Sequence, residues 1–389
     1  MNSWSTIAVV VVVGYVLIFV SFIVSQHSSD EFQRLKQELH SAKQDLISKS
    51  NELMIMNEIK AKSDVVVLSS TSLPPITTTK TTTMTTTTMT TMIHNKIKTH
   101  GVIILGMHRS GTSIIGGLMN KMGLNTGGPL IQPAFDNEKG FFERLDVVLQ
   151  NDNLLTKQGS HYAYRTNKYD SMLGLQHIML ERNEGKFFAE GRRALQFLNN
   201  ENNYPWMLKD PRLCITIRTW IPLLNFVPSI LFTYRHPLDV GLSMNKRTTE
   251  NFPVQKGIKL WYTYNKSAIK HTNDICRVIA SHRNVMKNPR QELDRIYDEL
   301  IACGLDVPNK VSDQDINSFI DPKLQHGKTT LMDNSCSGDI STITIPDTWK
   351  TTDSTHLRIY REAMRLYCAL EDGTAFNGKY KFDETIIDE

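Results

Sequence analysis

Short apolar runs that alternate with helical patterns characterise the chain beyond residue 98. Three of these runs, at residues 102–105, 206–208 and 230–234, are short enough for buried parallel strands. Apolar residues at helical spacing cover Ser113 to Met122 and then Glu143 to Leu155. Strands that alternate with helices predict an α/β fold, a three-layer, P-loop-like parallel sheet flanked by helices, and ligands of such sheets bind beyond the carboxyl ends of the strands.

A further helix is predicted near the end of the chain. Its apolar residues repeat at helical spacing behind a capping pair, Asp353-Ser354, and they are Leu357, Tyr360, Met364 and Tyr367. This pattern is typical of a helix that packs against a core, so these residues are assigned to packing and not to function.

The beginning of the chain has a different pattern. An uncharged apolar run from Ile7 to Val24 is long enough to cross a bilayer, so residues 1–26 are predicted to form a transmembrane signal-anchor. A cleaved signal peptide is the alternative. No basic residue precedes the run and no A-x-A-like site follows it, which favours the retained anchor.

Two segments separate this span from the predicted domain at 99–389. Residues 27–62 are predicted to be a helical stem, in which Leu35, Leu39 and Leu46 belong to a heptad pattern. The pattern fits either a short coiled coil, which would form a homodimer, or a single solvated helix. Residues 63–98 are rich in threonine and have too little apolar surface to fold, a composition typical of an O-glycosylated stalk.

Composition narrows the function classes. The net charge of +4 is small and no basic array is present in the sequence, so a nucleic-acid partner is not expected. The five cysteines show no C-x-x-C spacing, which argues against a zinc site. In an oxidising compartment they would form one or two disulfides and leave a free thiol, with a pairing that the sequence leaves open.

A glycine loop suited to an anion follows the first apolar run. Gly106 and Gly111 keep the spacing of the nucleotide-triphosphate loop G-x-x-x-x-G-K-(S/T), but Thr112 stands where that loop has its lysine. The cation of this loop is Arg109 instead. A magnesium-bound triphosphate is therefore disfavoured, whereas backbone N–H groups before a helix still suit a phosphate. Glycines that serve only a tight turn are the alternative.

A second anion-binding segment follows the run at 230–234. Arg235 stands at the predicted strand end, Pro237 then starts a helix, and Ser243 falls about two turns later. The planar guanidinium of arginine can pair with a phosphate through two hydrogen bonds. An exposed arginine and a solvated serine are the alternative.

Together these segments resemble the sulfotransferases that use 3′-phosphoadenosine 5′-phosphosulfate (PAPS). That family carries (K/R)-S-G-(T/S)-(T/S), matched by residues 109–113, and a strand followed by R-x-P-x-D-x-x-x-S, matched by residues 235–243. The resemblance implies that the loop binds the 5′-phosphosulfate and that Arg235 and Ser243 bind the 3′-phosphate. The loop residues assigned to the donor are His108, Arg109, Ser110, Gly111, Thr112 and Ser113.

Two more segments resemble a group of this family that is abundant in bacteria. Residues 136–143 are similar to N-x-K-G-(F/Y)-(F/W)-E, and residues 206–213 are similar to W-x-x-K-D-P-R. The resemblance covers about residues 99–261. The R-K-G-x-x-G element with which cytosolic members cover the nucleotide is not found in the sequence, and Gly327-Lys328 is too slight to replace it.

The resemblance implies sulfuryl transfer, which needs a cation at the leaving phosphate and a base at the acceptor hydroxyl. Arg109 is expected to be the cation and Glu143 the base, and no metal is expected. His108, Asp136 and His161 are the other candidates for the base. Alternatively, Glu143 merely caps the helix that it begins.

The segment after the second apolar run is the expected wall of the acceptor pocket. Lys209, Asp210 and Arg212 would contact the acceptor there, and a structural ion pair at Asp210 is the alternative. The expected acceptor is a hydroxyl of a glycan or a secreted protein. A nucleotide-dependent P-loop kinase and an inactive glycan-binding scaffold are the alternative functions.

Two features of the sequence predict opposite membrane orientations. Arg34, Lys36 and Lys43 follow the span and no basic residue precedes it, which by the positive-inside rule would leave the domain in the cytoplasm. The resemblance, the Thr-rich stalk and the sequon Asn265-Lys266-Ser267 favour the lumen. We expect a single-pass Golgi protein with a lumenal catalytic domain.

Overall fold

Four parallel strands form the central sheet of the described part of the chain. The computed structural model describes residues 98–134, 137–163, 165–183, 189–247, 252–320, 336, 349, 351, 353–378 and 380–387. The predicted span and stem, and the Thr-rich linker up to residue 97, lie outside these residues. Among the described helices, none is both long enough and apolar enough to cross a membrane.

The order of the strands across the sheet is β2-β1-β3-β4, and each neighbouring pair is parallel. The strands are β1 (Gly101–Leu105), β2 (Trp206–Lys209), β3 (Ser229–Tyr234) and β4 (Arg277–Ser281). The first three confirm the predicted strands. The apolar pattern does not predict β4, because this edge strand begins with a partly exposed arginine and ends with a serine.

Helices connect the strands and cover both faces of the sheet. In chain order they are α1 (Thr112–Lys121), α2 (Leu145–Lys157), α3 (Ser171–Asn183), α4 (Ala189–Leu198), α5 (Leu213–Trp220), α6 (Pro237–Arg247), α7 (Val254–His271), α8 (His282–Lys287), α9 (Pro289–Ala302), α10 (Asp313–Phe319) and α11 (Ser354–Glu371). Short 3₁₀ turns lie at Thr166–Lys168, Glu201–Asn203, Ile221–Leu223 and Thr374–Phe376.

Successive residues of β1 enter two different hydrophobic cores. Ile103 and Leu105 pack with residues of α2, α4, α5, α6, α7 and α11 on one face. Val102 and Ile104 pack with residues of α1, α8, α9 and α10 on the other face. Because side chains alternate along a strand, a fully apolar strand can belong to both cores. The predicted parallel α/β sheet with helices on both faces is confirmed.

The predicted helices agree with α1, α2 and α11 to within two residues at their starts. Helix α2 begins at Leu145 rather than at Glu143. Helix α11 begins behind Asp353, whose side chain accepts a hydrogen bond from Thr355 N at 2.7 Å. This contact is the predicted N-cap, which satisfies one of the N–H groups that a helix leaves open at its start.

Two disulfides and one buried thiol account for the five cysteines. Cys276 pairs with Cys303, Cys336 pairs with Cys368, and Cys214 is free. The first disulfide joins the residue before β4 to the residue after α9. It therefore links the two ends of the segment formed by β4, α8 and α9.

The sequon at Asn265 is inaccessible in the fold. This residue lies within α7, is 0% exposed, and its Nδ2 donates to Trp261 O at 2.7 Å. A glycan has no room at this position, so the sequon does not support a lumenal placement. The periodic packing of α7 overrides the local Asn-x-Ser signal.

Removal of the first disulfide is expected to destabilise the domain. The disulfide closes a loop with a sequence separation of 27 residues, and cross-linking a loop of this length stabilises a fold by about 3.5 kcal/mol through the unfolded state. The variant Cys276→Ser/Cys303→Ser should lose about that much free energy of unfolding in urea titrations. The exposed Gln291→Ala on α9 should change it by less than about 0.5 kcal/mol. Equal stability of the serine variant and the native chain would contradict the pairing.

Candidate functional site

The two anion-binding segments meet where the strand order reverses. β1 and β3 are neighbours in the sheet although β2 lies between them in sequence, so the switch point lies between β1 and β3. Residues 106–113, the anion loop, follow β1, and residues 235–243, the second anion segment, follow β3. At Gly106 an added Cβ would lie 2.4 Å from Thr233 O and 2.9 Å from Thr112 Cγ2. Only a glycine allows this approach.

A tight turn at the tip of the anion loop presents two side chains. Ser110 N donates to Met107 O at 3.1 Å, which places His108 and Arg109 at the two central positions of the turn. Arg109 has a φ of 69°, in the left-handed region that disfavours residues with a side chain. An arginine in a conformation that suits glycine indicates that its side chain serves a contact.

Helix α1 begins at the anion loop with its first N–H groups open. Gly111 is the N-cap, its φ is 88°, and no described side chain caps the helix. The N–H groups of the first helical turn have no intrahelical partners and attract an anion. His282, the first residue after β4, lies against this glycine, because an added Cβ at Gly111 would lie 2.4 Å from His282 Cδ2.

Arg109 connects the loop to the second anion segment. Its Nε donates to Ser243 Oγ at 2.9 Å, across 134 positions of the sequence. Arg235 Nε lies 3.4 Å from Asp239 Oδ2, and Trp261 Nε1 donates to Arg235 O at 2.9 Å. The structure therefore brings both predicted anion-binding segments to one place and fixes the backbone of the second at the strand end.

Four enclosed polar atoms in these two segments have no hydrogen-bond partner among the described residues. They are His108 Nε2, Ser110 Oγ, Arg235 Nε and His236 Nδ1, of which Arg235 Nε keeps the ion-pair contact with Asp239. An enclosed polar group that lacks a partner costs roughly 1–3 kcal/mol, so nearly all such groups in proteins are satisfied. Their position along one edge of the sheet indicates a site that a polar ligand would complete.

A buried ion pair lies beside the anion loop. Lys209 Nζ, at the end of β2, lies 2.5 Å from Glu143 Oε1, and the two side chains are 1% and 8% exposed. The same ammonium donates to Phe141 O at 3.1 Å and to Ser113 Oγ at 3.3 Å. Asn137 Nδ2 also donates to Ser113 Oγ, at 3.0 Å. These contacts tie residues 137–143 to the loop.

The candidates for the base occupy different surroundings. The N-cap of α2 is Arg144, so the interpretation of Glu143 as a helix cap is wrong. The assignment of Glu143 as the base stays a prediction, and its carboxylate is engaged with Lys209. His161 is half-buried, and Asp136 lies outside the described residues.

Carboxylates hold one arginine in place after β2. Arg212 Nη1 donates to Asp210 Oδ1 at 2.9 Å, and its Nε donates to Asp152 Oδ1 at 2.5 Å. Asp210 is 0% exposed, and Asn151 Nδ2 donates to its other oxygen at 2.7 Å. The ion pair at Asp210 is therefore structural. The guanidinium of Arg212 lies over the Tyr162 ring at 5.1 Å, and an acceptor contact by this segment stays a prediction.

Two residues at the loop belong to no motif. Cys214 Sγ accepts a hydrogen bond from Gly106 N at 3.2 Å, and burial raises the pKa of this thiol to about 12. Burial and then the charge of Arg235 lower the pKa of His282 to about 3, so its ring is neutral at physiological pH. His282 could be found from the sequence only through its position directly after β4, and the apolar pattern does not predict that strand.

Comparisons with known proteins give low similarity. No protein-family model and no curated protein matches the chain. The fold is similar to that of the sulfotransferase domain of a Synechococcus olefin synthase, with a TM-score of 0.36. The two sequences are 16% identical, and the match covers 70% of this chain and 96% of that domain. A sulfotransferase from Mycobacterium tuberculosis has 13% identity over 59% of this chain and 72% of its own, with a TM-score of 0.33.

A sulfotransferase domain from the curacin biosynthetic pathway has 14% identity over 74% of this chain and 100% of its own, with a TM-score of 0.33. At these identities and TM-scores, the function of this chain has to be inferred from its own site.

Loss of one partner of the buried ion pair is expected to destabilise the domain strongly. Lys209→Met leaves the Glu143 carboxylate buried and unpaired, which should lower the free energy of unfolding by about 3–5 kcal/mol in urea titrations. Lys209→Met/Glu143→Met removes both charges and should recover most of that loss. Lys121→Met breaks a half-exposed pair with Asp315 and should cost less than about 1 kcal/mol. A double variant no more stable than Lys209→Met would contradict this account.

The left-handed conformation of Arg109 gives a second prediction. Arg109→Gly and Arg109→Ala both remove the contact with Ser243, but only glycine relieves the unfavourable φ. The glycine variant should therefore be more stable than the alanine variant by about 1 kcal/mol in thermal or urea unfolding. At Arg235, where φ is not positive, the order of glycine and alanine should be reversed. The same order at both positions would contradict the assigned turn.

Proposed function

We propose that the chain is a PAPS-dependent sulfotransferase that transfers a sulfuryl group to a hydroxyl of a glycan or a secreted protein. The observation that carries the proposal is the contact between Arg109 Nε and Ser243 Oγ at 2.9 Å, at the switch point of a parallel sheet. It brings two segments suited to negative charge to neighbouring strands. One donor with phosphate groups at two ends fits this arrangement.

The residues of the site suit such a donor. The anion loop would hold the 5′-phosphosulfate through the open N–H groups of α1, Ser110 Oγ and the guanidinium of Arg109. Arg235 and Ser243 would hold the 3′-phosphate, for which a planar guanidinium is well suited. Ser110 Oγ is enclosed and has no hydrogen-bond partner in the described part of the chain, which supports this assignment because a phosphate oxygen would satisfy it.

The proposed reaction is an in-line transfer. A new bond forms between the acceptor oxygen and sulfur, while the bond between sulfur and the 5′-phosphate oxygen breaks and its electron pair stays on the phosphate. Arg109 and the backbone N–H groups of the loop would stabilise this developing charge, because fixed donors and cations at the leaving oxygen lower the barrier. A side chain must also accept the proton of the acceptor hydroxyl, and both Glu143 and His108 are candidates.

The proposed setting is a lumenal domain on a membrane stalk. Cys276–Cys303 and Cys336–Cys368 support an oxidising compartment, where disulfides persist. The apolar run at residues 7–24 and the Thr-rich linker support a single-pass Golgi protein. The stem would make a homodimer if its heptads pair.

Binding of nucleotides tests the donor assignment. By isothermal titration calorimetry, the full-length chain should bind 3′,5′-adenosine bisphosphate without magnesium and more tightly than it binds magnesium–ATP. Arg109→Ala and Arg235→Ala should each weaken the binding of the bisphosphate by roughly 10–100-fold, since a hydrogen bond to a charged group contributes about 1.5–3 kcal/mol. Arg365→Ala on α11 removes an exposed arginine that pairs with Glu362 and should leave binding unchanged.

The other outcomes identify the alternative functions. Tighter binding of magnesium–ATP would indicate a kinase. Binding of the bisphosphate without transfer of radiolabelled sulfate from PAPS to any acceptor in a panel of glycans, peptides and lipids would indicate an inactive scaffold. Unchanged binding in both arginine variants would contradict the assigned donor site.

A further inference from the structure

We infer that His108 is the base that accepts the proton of the acceptor hydroxyl, an inference that rests on the proposed sulfuryl transfer. The assignment combines the position of this side chain in the anion loop, the enclosure of its Nε2 and the charges around its ring. The resemblance implies Glu143 for this role, with His108 among the other candidates.

His108 occupies the tip of the anion loop. It is the first of the two central residues of the Met107–Ser110 turn and Arg109 is the second, so the proposed base and the proposed leaving-group cation are adjacent in one turn. Its Nε2 is enclosed and has no hydrogen-bond partner among the described residues. A lone pair without a partner can accept a proton from a hydroxyl, and an acceptor placed against Nε2 would supply the missing hydrogen bond.

Two tyrosines hold the imidazole ring. The Tyr162 ring lies 5.4 Å from the His108 ring between centroids, and the Tyr264 ring lies 5.8 Å away in an edge-to-face arrangement. Tyr264 OH donates to Tyr162 O at 2.7 Å, which fixes these two neighbours relative to each other. The ring of His108 is therefore positioned by packing, as a base must be if it is to meet a hydroxyl in one geometry.

Four cations act on the imidazole. They are Arg109 from the loop itself, Lys209 from the end of β2, Arg212 from the following turn and Arg247 from the end of α6. Burial first, and then these four charges, lower the pKa of His108 well below its ordinary value. The imidazole is consequently neutral at physiological pH, which is the protonation state that a base needs.

The cations around His108 also make its proton affinity sensitive to a bound donor. The donor carries several negative charges, and its binding in the loop would offset the field of Arg109 and Lys209 at His108. Donor binding would therefore raise the affinity of His108 for a proton. A base that strengthens only when the donor is present would couple proton acceptance to the transfer step.

Glu143 is less well placed for this role. Its Oε1 lies 2.5 Å from Lys209 Nζ in a buried ion pair, and taking up a proton would leave the lysine charge uncompensated. In the part of the chain that the structure describes, no such partner lies at His108 Nε2. In the proposed step, the acceptor O–H proton passes to His108 Nε2, the acceptor oxygen bonds to sulfur, and the bond from sulfur to the 5′-phosphate oxygen breaks.

The first test compares two variants of the full-length chain, His108→Gln and Glu143→Gln. Both are close in size to the native residue, and neither can accept a proton at neutral pH. The readout is the release of radiolabelled sulfate from PAPS with water as acceptor. His108→Gln should lower kcat by about 10²–10⁴-fold, the range of general-base catalysis, and should change the affinity for 3′,5′-adenosine bisphosphate by less than about threefold. Glu143→Gln leaves Lys209 buried without its carboxylate and should lower stability, so kcat is measured per folded enzyme, and it should fall much less than in His108→Gln.

The second test needs no turnover. Nuclear magnetic resonance of ¹⁵N-histidine-labelled protein would follow the His108 ring, identified as the signal that His108→Gln lacks. Without nucleotide the ring should stay neutral through pH 6, and 3′,5′-adenosine bisphosphate should increase its proton affinity by about tenfold. Absence of this response would show that the charge of the donor does not reach the His108 ring, which the proposed proton transfer requires.

The outcomes separate this inference from the proposed function. Native kcat in His108→Gln, or a His108 titration that the bisphosphate leaves unchanged, would overturn the assignment of the base while leaving the sulfotransferase proposal intact. A kcat per folded enzyme that falls by about 10²-fold or more in Glu143→Gln and stays native in His108→Gln would return the role to Glu143. Failure of the native chain to bind the bisphosphate would instead overturn the proposed function.

Discussion

The approach of the Gly106 backbone to the Thr233 carbonyl is the constraint on which the rest of the site depends. Because β1 and β3 are parallel neighbours, the segments that follow them leave the sheet at the same edge. The absence of a side chain at Gly106 allows the first of these segments to contact the backbone of β3 at Thr233. Arg109 can then reach Ser243. A side chain at position 106 would push the loop away from β3 and separate the two anion-binding segments.

Several features of the site are energetically unfavourable on their own, and the two hydrophobic cores offset their cost. A left-handed arginine, enclosed polar atoms without partners and a fully enclosed ammonium–carboxylate pair each lower stability in isolation. The surrounding strands are fully apolar and 0–1% exposed along β1 and β2 up to Leu208. Burial of this apolar surface can offset the local costs, so the anion loop is held in a conformation that it would not adopt alone.

Local signals made much of the fold and the donor segments predictable from the sequence. The three apolar runs, the glycine spacing of the loop and the strand-Arg-x-Pro pattern depend on neighbours a few positions apart, which the sequence displays directly. The partners of Lys209, the pairing of Cys276 with Cys303, and the burial of Asn265 depend on residues far away in the chain. Local spacing therefore could not predict them. The β4 strand and His282 were missed because an edge strand with polar ends gives only a weak apolar pattern.

The shared hydrogen bonds at Ser113 have a consequence for its hydroxyl. A serine oxygen has two lone pairs and one proton, and Asn137 Nδ2 and Lys209 Nζ both donate to Ser113 Oγ. With both lone pairs in use, the hydroxyl cannot act as an acceptor for a further group, and its proton must point away from the amide and the ammonium. These two neighbours therefore fix the direction of the Ser113 O–H bond before an anion binds, and the hydroxyl can act only as a donor to that anion.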